Sequence, residues 1–226
     1  MKNIKIFTAF ILVLFGANVI AASSNVKLES ANTDISDYDS LKRGAKHFMN
    51  YCSGCHSIEL MRYNRIGQDL GMSEDEVVSD LLYAGSKPGE KMKSAISTSA
   101  STKWFGGTPP DLSLTSRSRG VDWIYSYLKG FYPDAKRTFG VNNHVLANAS
   151  MPDVLWSLRQ SKTAEAFDQD VRDITNFLDY VGEPAKLVRV DLGIKVMLFL
   201  AILLVLSYLL KKEYWKDVKY GKWKAK

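Results

Sequence analysis

The sequence predicts a mainly α-helical fold, in which one domain of helices and long loops is followed by a single C-terminal transmembrane helix. Three observations support this prediction. Apolar residues recur at helical spacing in four segments, the alternation typical of strands is weak throughout, and a long apolar run lies near the lysine-rich C-terminus. The roughly 170 residues between the N-terminal and C-terminal apolar runs suit a single domain.

The first element is an N-terminal apolar run with the features of a secretory signal peptide. Two lysines precede apolar residues 6–20, and Ala21 and Ala22 supply small side chains for cleavage. We expect the signal peptide to span residues 1–22, so that residues 23–190 form a domain in the bacterial periplasm. An uncleaved membrane anchor is the alternative for this run.

Four helices are predicted between the two apolar runs, each from apolar residues spaced three or four apart. Their ranges are Asp39–Tyr51, Ser73–Tyr83, Val121–Phe131 and Thr163–Val181. The first helix places Cys52 at its C-terminal end, on the side that faces the core. The second begins with Ser73 and Glu76 in the pattern of a capping box. Gly, Glu and Pro at 182–184 end the fourth helix.

The last predicted element is a transmembrane helix at residues 191–210. Residues 192–210 carry one charge, Lys195, and about 20 apolar residues suffice to cross a hydrocarbon core of ~30 Å. The lysines that follow are Lys211, Lys212, Lys216, Lys219, Lys222, Lys224 and Lys226. By the positive-inside rule they place the tail, residues 211–226, in the cytoplasm, and the chain crosses the inner membrane once. A buried helix of a soluble protein is the alternative.

The formal net charge of +6 comes from the two ends of the chain and not from the domain between them. Residues 23–191 hold 20 basic and 22 acidic side chains, whereas residues 192–226 hold eight basic and two acidic ones. The basic isoelectric point therefore gives no support for nucleic-acid binding, and we expect no nucleic-acid partner.

The residues Cys52-Ser53-Gly54-Cys55-His56 form the C-x-x-C-H signature for covalent attachment of a c-type haem. The spacing places both sulfurs along one porphyrin edge as thioethers, and the adjacent histidine then reaches the iron as its proximal ligand. A zinc site would need two more ligands, and the chain has no other cysteine. A dithiol redox pair would need a βαβ context, which the sequence lacks. We therefore predict a c-type cytochrome domain with one covalently bound haem c.

The residues alone leave the sixth iron ligand open. The candidates are Met49, Met61, Met72, Met92, Met151, His47 and His144. Met151 is favoured because Pro152 biases it toward an extended conformation, in a loop far from the attachment motif. The methionines nearest the motif are too close in sequence to reach the opposite haem face, whereas Met92 and His144 remain rivals.

Further motifs follow in a fixed order. They are Trp104-Phe105-Gly106-Gly107-Thr108-Pro109-Pro110-Asp111-Leu112-Ser113, then Arg117-Ser118-Arg119-Gly120-Val121-Asp122-Trp123, then Met151-Pro152 and the C-terminal anchor. In this order they resemble the cytochrome c1 family of bacterial ubiquinol–cytochrome c reductases, the cytochrome bc1 complexes. The resemblance covers nearly all of the chain after the signal peptide. It implies that Met151 is the distal ligand, that the Pro110 loop packs on the haem near His56, and that Arg119 binds a haem propionate.

The resemblance also implies a function and partners. It implies that the chain takes an electron from a Rieske iron–sulfur protein reduced by ubiquinol, and passes it to a cytochrome c, in an assembly with cytochrome b. Such a redox subunit needs no acid–base or nucleophilic side chain, so no catalytic residue is predicted. Trp123 is predicted to contact the haem, with Tyr125 and Phe105 as further wall residues.

Two other functions stay open at this point. One is a free-standing membrane-anchored cytochrome that donates electrons to an oxidase or reductase without quinol chemistry. The other is a haem-based gas-binding module, which requires an open or weakly ligated iron position.

Overall fold

The computed structural model describes residues 26–82 and 86–221. The predicted signal peptide lies outside the described residues. The described chain is mainly helical and includes two small antiparallel sheets. In chain order its elements are α1 (Tyr38–Tyr51), β1 (Ile58–Arg62), α2 (Tyr63–Leu70), α3 (Glu74–Leu81), β2 (Lys91–Met92), α4 (Thr98–Phe105), α5 (Thr115–Arg119), α6 (Val121–Lys129), β3 (Phe131–Pro133), β4 (Val141–Asn143), α7 (Trp156–Ser161), α8 (Ala164–Gly182) and α9 (Lys186–Lys219).

Helices α1 and α8 form the centre of the domain. Phe48 of α1 and Phe177 of α8 are fully buried, and their ring centroids lie 5.7 Å apart. The helices approach most closely at Gly44, where a Cβ atom would lie 2.0 Å from the carbonyl oxygen of Asp173. Only glycine fits at this crossing. The crossing fixes the path of α1 and therefore the position of Cys52, which follows it.

A buried carboxylate fastens the same helix pair. Asp173 is 1% exposed, and it accepts hydrogen bonds from the Ser40 hydroxyl at 2.7 Å and the Gln169 amide at 2.8 Å. The Arg43 guanidinium pairs with it through Nε at 2.7 Å. The charge of Asp173 is therefore compensated, which is the condition under which a buried carboxylate does not destabilise a fold.

Helix α6 packs against α8 through a charged network around Tyr125. The Tyr125 hydroxyl donates to the Asp168 carboxylate, which also pairs with Lys129 at 2.7 Å and with Arg172 at 3.0 Å. Both cations lie over the Tyr125 ring. Helix α5 turns into α6 at Gly120, whose φ of 89° favours glycine. This turn sets the direction in which α6 leaves α5.

Strands β3 and β4 form an antiparallel hairpin, and β1 and β2 also pair in antiparallel orientation. The tip of the hairpin, residues 134–140, is held by its own hydrogen bonds. The Asp134 N–H donates to the Gly140 carbonyl at 2.8 Å, and the Asn142 amide donates to the Asp134 carboxylate at 2.9 Å. The hairpin tip is thus an ordered turn that can hold a side chain in a defined place.

The four predicted helices are all present, as α1, α3, α6 and α8, and the predicted last residue of the second helix, Tyr83, lies outside the described residues. The predicted capping box is confirmed, because the Ser73 hydroxyl accepts the Glu76 N–H and the Glu76 carboxylate accepts the Ser73 N–H. The predicted end of the third helix at Phe131 is wrong: Gly130 ends α6, and Phe131 begins β3. Helices α2, α4, α5 and α7 and the strands are not predicted, because elements of eight residues or fewer give little periodic signal.

The C-terminal helix α9 runs unbroken through 34 residues, none of them buried. Its apolar window has a mean hydropathy of 2.5, and within residues 26–82 and 86–221 it is the one helix long and apolar enough to cross a membrane. At about 1.5 Å per residue it extends well beyond a hydrocarbon core of ~30 Å. Lys195, the single charge of residues 192–210, pairs with Asp191 at 2.7 Å.

Candidate functional site

The C-x-x-C-H motif forms a hydrogen-bonded turn directly after α1. The Cys52 N–H donates to the Phe48 carbonyl at 2.9 Å, and the N–H groups of Cys55 and His56 both donate to the Cys52 carbonyl, at 3.0 and 2.8 Å. Cys52 is buried, Cys55 is half-buried, and both are free thiols. Gly54 is exposed, with open space where a Cβ would lie. One short turn therefore holds both thiols and the imidazole.

His56 is oriented by a backbone carbonyl from another segment. Its Nδ1–H donates to the Pro110 carbonyl oxygen at 2.8 Å. A carbonyl can only accept, so this bond fixes the tautomer and leaves the lone pair on Nε2, which makes no hydrogen bond to the rest of the described chain. Burial lowers the pKa of His56, against smaller opposing effects of Pro110 and Asp111. The imidazole is therefore neutral near pH 7 and able to bind a metal ion.

The segment that carries Pro110 is fastened to the residues that follow the motif. The Leu112 N–H donates to the Ser57 carbonyl at 2.8 Å. The Asp111 carboxylate accepts the Glu59 N–H at 2.8 Å. Because these bonds tie the two segments together, the carbonyl that orients His56 is held in place by the fold itself.

Burial also determines the state of the first thiol. It raises the pKa of Cys52 to about 12, with a smaller contribution from Cys55. The Cys52 thiol is therefore protonated at neutral pH, and it belongs to the cluster of buried apolar residues. A porphyrin is apolar over most of its surface, so such surroundings suit its edge.

Met151 lies on the loop after β4, and a hydroxyl group contacts its sulfur. Tyr127 of α6 donates its O–H to Met151 Sδ at 3.5 Å. Burial raises the pKa of Tyr127 to about 12, so the hydroxyl keeps its proton at physiological pH. A thioether sulfur has two lone pairs. It can accept this hydrogen bond with one of them and bind a metal ion with the other.

The other candidates for the sixth ligand lie in different surroundings. Three of them, between 2% and 4% exposed, are core residues: Met49, Met61 and Met92. Met72 packs against the same core. His144 is exposed and stacks on Tyr132, with ring centroids 4.3 Å apart. Met151 is half-buried at the edge of the core, where its sulfur can meet a group from outside.

One face of α6 carries a ladder of side chains that ends at the Met151 sulfur. Trp123 and Tyr127 stack with ring centroids 5.0 Å apart and an angle of 6° between planes. The Arg119 guanidinium lies 5.3 Å from the Trp123 ring centroid. Trp123 and Tyr127 lie four residues apart on α6, whereas Arg119 ends α5 and meets Trp123 across the turn at Gly120. Tyr125 faces the α8 network instead, so it does not belong to this ladder.

A groove of about 200 Å³ opens beside the Met151 loop. Its walls come from residues 104–106 at the end of α4, residues 137–139 of the hairpin tip, and residues 149–150. The first wall leads along the chain to Pro110, which orients His56, and the third leads directly to Met151. The groove therefore borders segments from both sides of the candidate site.

Two residues reach the site without having been predicted, namely Tyr127 and Arg137. Tyr127 carries a usable signal, since it lies four residues after Trp123 on the same helix face. Arg137 belongs to a loop that matches no motif, and no sequence signal marks it. Phe105, a predicted wall residue, lines the groove and contacts Phe139, with ring centroids 5.7 Å apart.

The residues of this site fit a c-type haem. Two free thiols and a neutral histidine follow one another in the attachment turn, and the Pro110 carbonyl leaves the histidine Nε2 for an iron ion. The Met151 thioether lies near the surface of the core, and aromatic side chains line its surroundings. Thiol, imidazole and thioether are the donors that c-type haem attachment and His/Met ligation require.

Comparison with known proteins gives consistent matches over nearly the whole chain. The profile of the Cytochrome C1 family matches residues 30–218. "Cytochrome c1" of Allochromatium vinosum is 44% identical, over 95% of this chain and 99% of the relative. The "Ammonia monooxygenase gamma subunit" of Nitrosomonas europaea is 42% identical, over 96% and 100%. The "Cytochrome b-c1 complex catalytic subunit, mitochondrial" of Candida albicans is 26% identical, over 83% and 75%.

Proposed function

This chain belongs to the cytochrome c1 family, and we propose that it relays electrons from a Rieske iron–sulfur protein to a cytochrome c, with His56 and Met151 as the iron ligands of its one haem c. At the coarser level, it is a haem c electron-transfer subunit of a cytochrome bc1 complex, with a single C-terminal membrane anchor. The proposal adds the ligands, the direction of electron flow and the partners.

The hydrogen bond from His56 Nδ1 to the Pro110 carbonyl is the observation that carries the proposal. It gives the imidazole one tautomer and one orientation, and both are needed by a proximal ligand. The role of Pro110 is therefore to hold the ligand through its carbonyl group. Cys52 and Cys55 act as the thioether anchors, since they are the free thiols of the attachment turn.

Met151 completes the ligand set from the distal side. When bound, haem c supplies a one-electron ferric/ferrous couple, whose reduced state His/Met ligation favours. With His56 and Met151 both bound to it, the iron would have no free position for a small molecule. This closure is what distinguishes an electron carrier from a gas-binding module, and the contact with Tyr127 holds the Met151 sulfur in place.

Arg119 and Trp123 serve the edge of the site. Arg119 is the proposed partner of one haem propionate, because a guanidinium forms strong charge-assisted bonds to a carboxylate. Its position over the Trp123 ring supports this role, since the stacked ring keeps the cation on the face of α6 that leads to Met151. Trp123 is the proposed wall residue beneath it.

The proposed topology follows from the two ends of the chain. Residues 1–22 act as signal peptide, residues 23–190 form the periplasmic haem domain, residues 191–210 cross the inner membrane, and residues 211–226 form a cytoplasmic tail. Helix α9 is exposed along its length, and we expect cytochrome b beside its apolar surface within the membrane. The Rieske protein and a soluble or membrane-held cytochrome c would meet the periplasmic domain.

Optical measurement of haem reduction in native membranes tests the direction of electron flow. Ubiquinol is added with and without an inhibitor that blocks quinol oxidation at the Rieske-facing site. The proposal expects rapid reduction of haem c that the inhibitor abolishes, because electrons can then arrive only through the Rieske protein. The chain with Met151→Leu serves as a marker, since its altered spectrum identifies the signal as that of this subunit.

The other outcomes of the same measurement separate the competing functions. Reduction that ignores the inhibitor would indicate a free-standing anchored cytochrome. Absence of reduction by ubiquinol would indicate that the chain exchanges electrons with a different enzyme. The Nitrosomonas relative is named as a subunit of such an enzyme, an ammonia monooxygenase. Binding of carbon monoxide by the unaltered ferrous protein would indicate the gas-binding function.

A further inference from the structure

Arg137 sits at the tip of the β3–β4 hairpin and lines the groove beside Met151. Its Nη2 donates to the Asn148 carbonyl at 2.8 Å, so the side chain reaches across from the hairpin tip to the Met151 loop. The hydrogen bonds of Asp134 within the tip hold the backbone that carries it. Asn148 thus holds the guanidinium, and the hydrogen bonds of the hairpin tip hold the backbone of Arg137.

One nitrogen of this guanidinium lacks a hydrogen-bond acceptor in the described part of the chain. Arg137 Nε is buried and has no hydrogen-bond partner among the described residues. The side chain also makes no ion pair in that part of the chain, and no other residue lining the groove is ionisable. A buried donor on a charged group is costly without an acceptor, and a carboxylate supplied by a ligand would provide one.

The groove adjoins segments that lead to both proposed iron ligands. Residues 104–106 run toward Pro110, which holds His56, and residues 149–150 adjoin Met151. A haem held by His56 and Met151 would have these segments as neighbours. The charged substituents of such a group are its two propionates, and Arg119 on the α6 ladder is the proposed partner of one of them.

We propose that Arg137 is the second propionate-binding residue, and that its guanidinium accepts a haem carboxylate into the groove beside Met151. The assignment rests on the proposed function, since it requires a haem held by His56 and Met151. The ligand class is a carboxylate, and the planar fork of arginine suits it better than a lysine ammonium does.

A positive charge beside a haem propionate shifts the ferric/ferrous equilibrium toward the ferrous state. The ferric state carries one more positive charge than the ferrous state, and an ionised propionate favours it. A cation that compensates the propionate therefore raises the reduction potential. The same cation lowers the propionate pKa, so that the potential does not change with pH near neutrality.

Redox titration of the full chain in its membrane complex, from pH 5 to pH 9, tests the assignment. Arg137→Gln should lower the reduction equilibrium constant by up to about tenfold, which is 59 mV for a one-electron couple. Its potential should also fall with rising pH across part of this range, because the propionate pKa rises when the cation is lost. Arg137→Lys should recover most of the potential, since it keeps the charge.

The matched control is Lys136→Gln, which removes a charge from the same hairpin tip. Lys136 is exposed, and its side chain makes no hydrogen bond or ion pair with described residues. Its potential and pH profile should match those of the unaltered protein. Asp134, the other ionisable group of the tip, has a pKa lowered by Asn142 and the Lys136 N–H, and in smaller part by Arg137. Its titration therefore lies below the measured range.

Two outcomes would overturn the assignment. If Arg137→Gln has the potential and pH profile of Lys136→Gln, no propionate is bound there. If both Arg137→Gln and Arg137→Lys bind carbon monoxide, the residue merely braces the Met151 loop through Asn148. Failure of the proposed function itself would look different, because the unaltered protein would then lack Met ligation and would bind carbon monoxide without any substitution.

Discussion

The two sides of the candidate haem site are built in different ways. On the proximal side, His56 is held by a backbone carbonyl, and the segment behind that carbonyl is tied to the motif by further hydrogen bonds. On the distal side, Met151 lies on a loop, and its sulfur accepts a hydrogen bond from the hydroxyl group of one side chain. Backbone groups hold the proximal ligand and a side chain holds the distal one. Substitutions can therefore adjust the distal side far more readily.

Removal of both thiols breaks the proximal side most severely. Cys52→Ala combined with Cys55→Ala should abolish covalent haem, because the two thioethers are the covalent bonds that attach it. Haem-dependent peroxidase staining after denaturing electrophoresis measures this directly. Met151→Leu, which leaves the thiols in place, should keep the stain, and a stained double variant would contradict the attachment.

Met151→Leu opens the distal side and leaves the proximal side intact. Leucine has nearly the volume of methionine, so packing is kept while the sulfur is lost. The ferrous protein should then bind carbon monoxide. The reduction equilibrium constant should fall by more than tenfold, which lowers the reduction potential by more than about 59 mV. Met92→Leu, at a core methionine, should show neither effect. Carbon monoxide binding in the Met92 variant, without binding in the Met151 variant, would reverse the ligand assignment.

The contrast between the two sides also decides what the sequence can predict. The proximal ligand and its anchors are contiguous in the chain, so spacing alone identifies Cys52, Cys55 and His56. Apart from the family resemblance, Met151 is marked by the proline after it, and several other methionines compete until their burial is known. A contact between distant segments leaves no local pattern, which is why distal groups are harder to find.

The same reasoning explains the fold. Long helices such as α8 repeat their apolar spacing often enough to be recognised, and the capping box marks the start of α3. The carbonyl of Pro110 acts through the backbone, which every residue possesses, so its role has no side-chain signature. Arg137 is brought to the site by a hairpin whose strands have three residues each, too few for an alternating pattern.

Asp111→Ala loosens the proximal frame without touching a ligand. The Asp111 carboxylate accepts the N–H groups of Glu59 and Ser113, both at 2.8 Å. Because the side chain is exposed, its loss should cost about 1 kcal/mol, which lowers the thermal midpoint by about 2–4 °C in a domain of this size. Circular dichroism of the purified full chain in detergent measures the change. Glu90→Ala, at an exposed acidic residue whose side chain makes no described hydrogen bond, should leave the midpoint unchanged.

Tyr127→Phe gives the smallest effect and the finest test of the distal side. The substitution keeps the ring that stacks on Trp123 and removes only the hydroxyl that donates to Met151 Sδ. A hydrogen bond on the sulfur draws electron density away from the iron and so favours the ferrous state. Its loss should lower the reduction equilibrium constant a few-fold, which is less than about 59 mV, with the covalent haem retained.

The matched control for Tyr127→Phe is Tyr132→Phe, which removes a hydroxyl from a tyrosine that stacks on His144 outside the ladder. Its potential should equal that of the unaltered protein. Equal potentials in both variants would mean that the hydroxyl does not act on the bound sulfur, whereas carbon monoxide binding by Tyr127→Phe would mean that the hydroxyl is needed to hold Met151 on the iron. We expect Tyr127→Phe to have a lower reduction potential and still to bind no carbon monoxide. This result would mean that backbone groups hold the proximal ligand, whereas a single side chain adjusts the distal one.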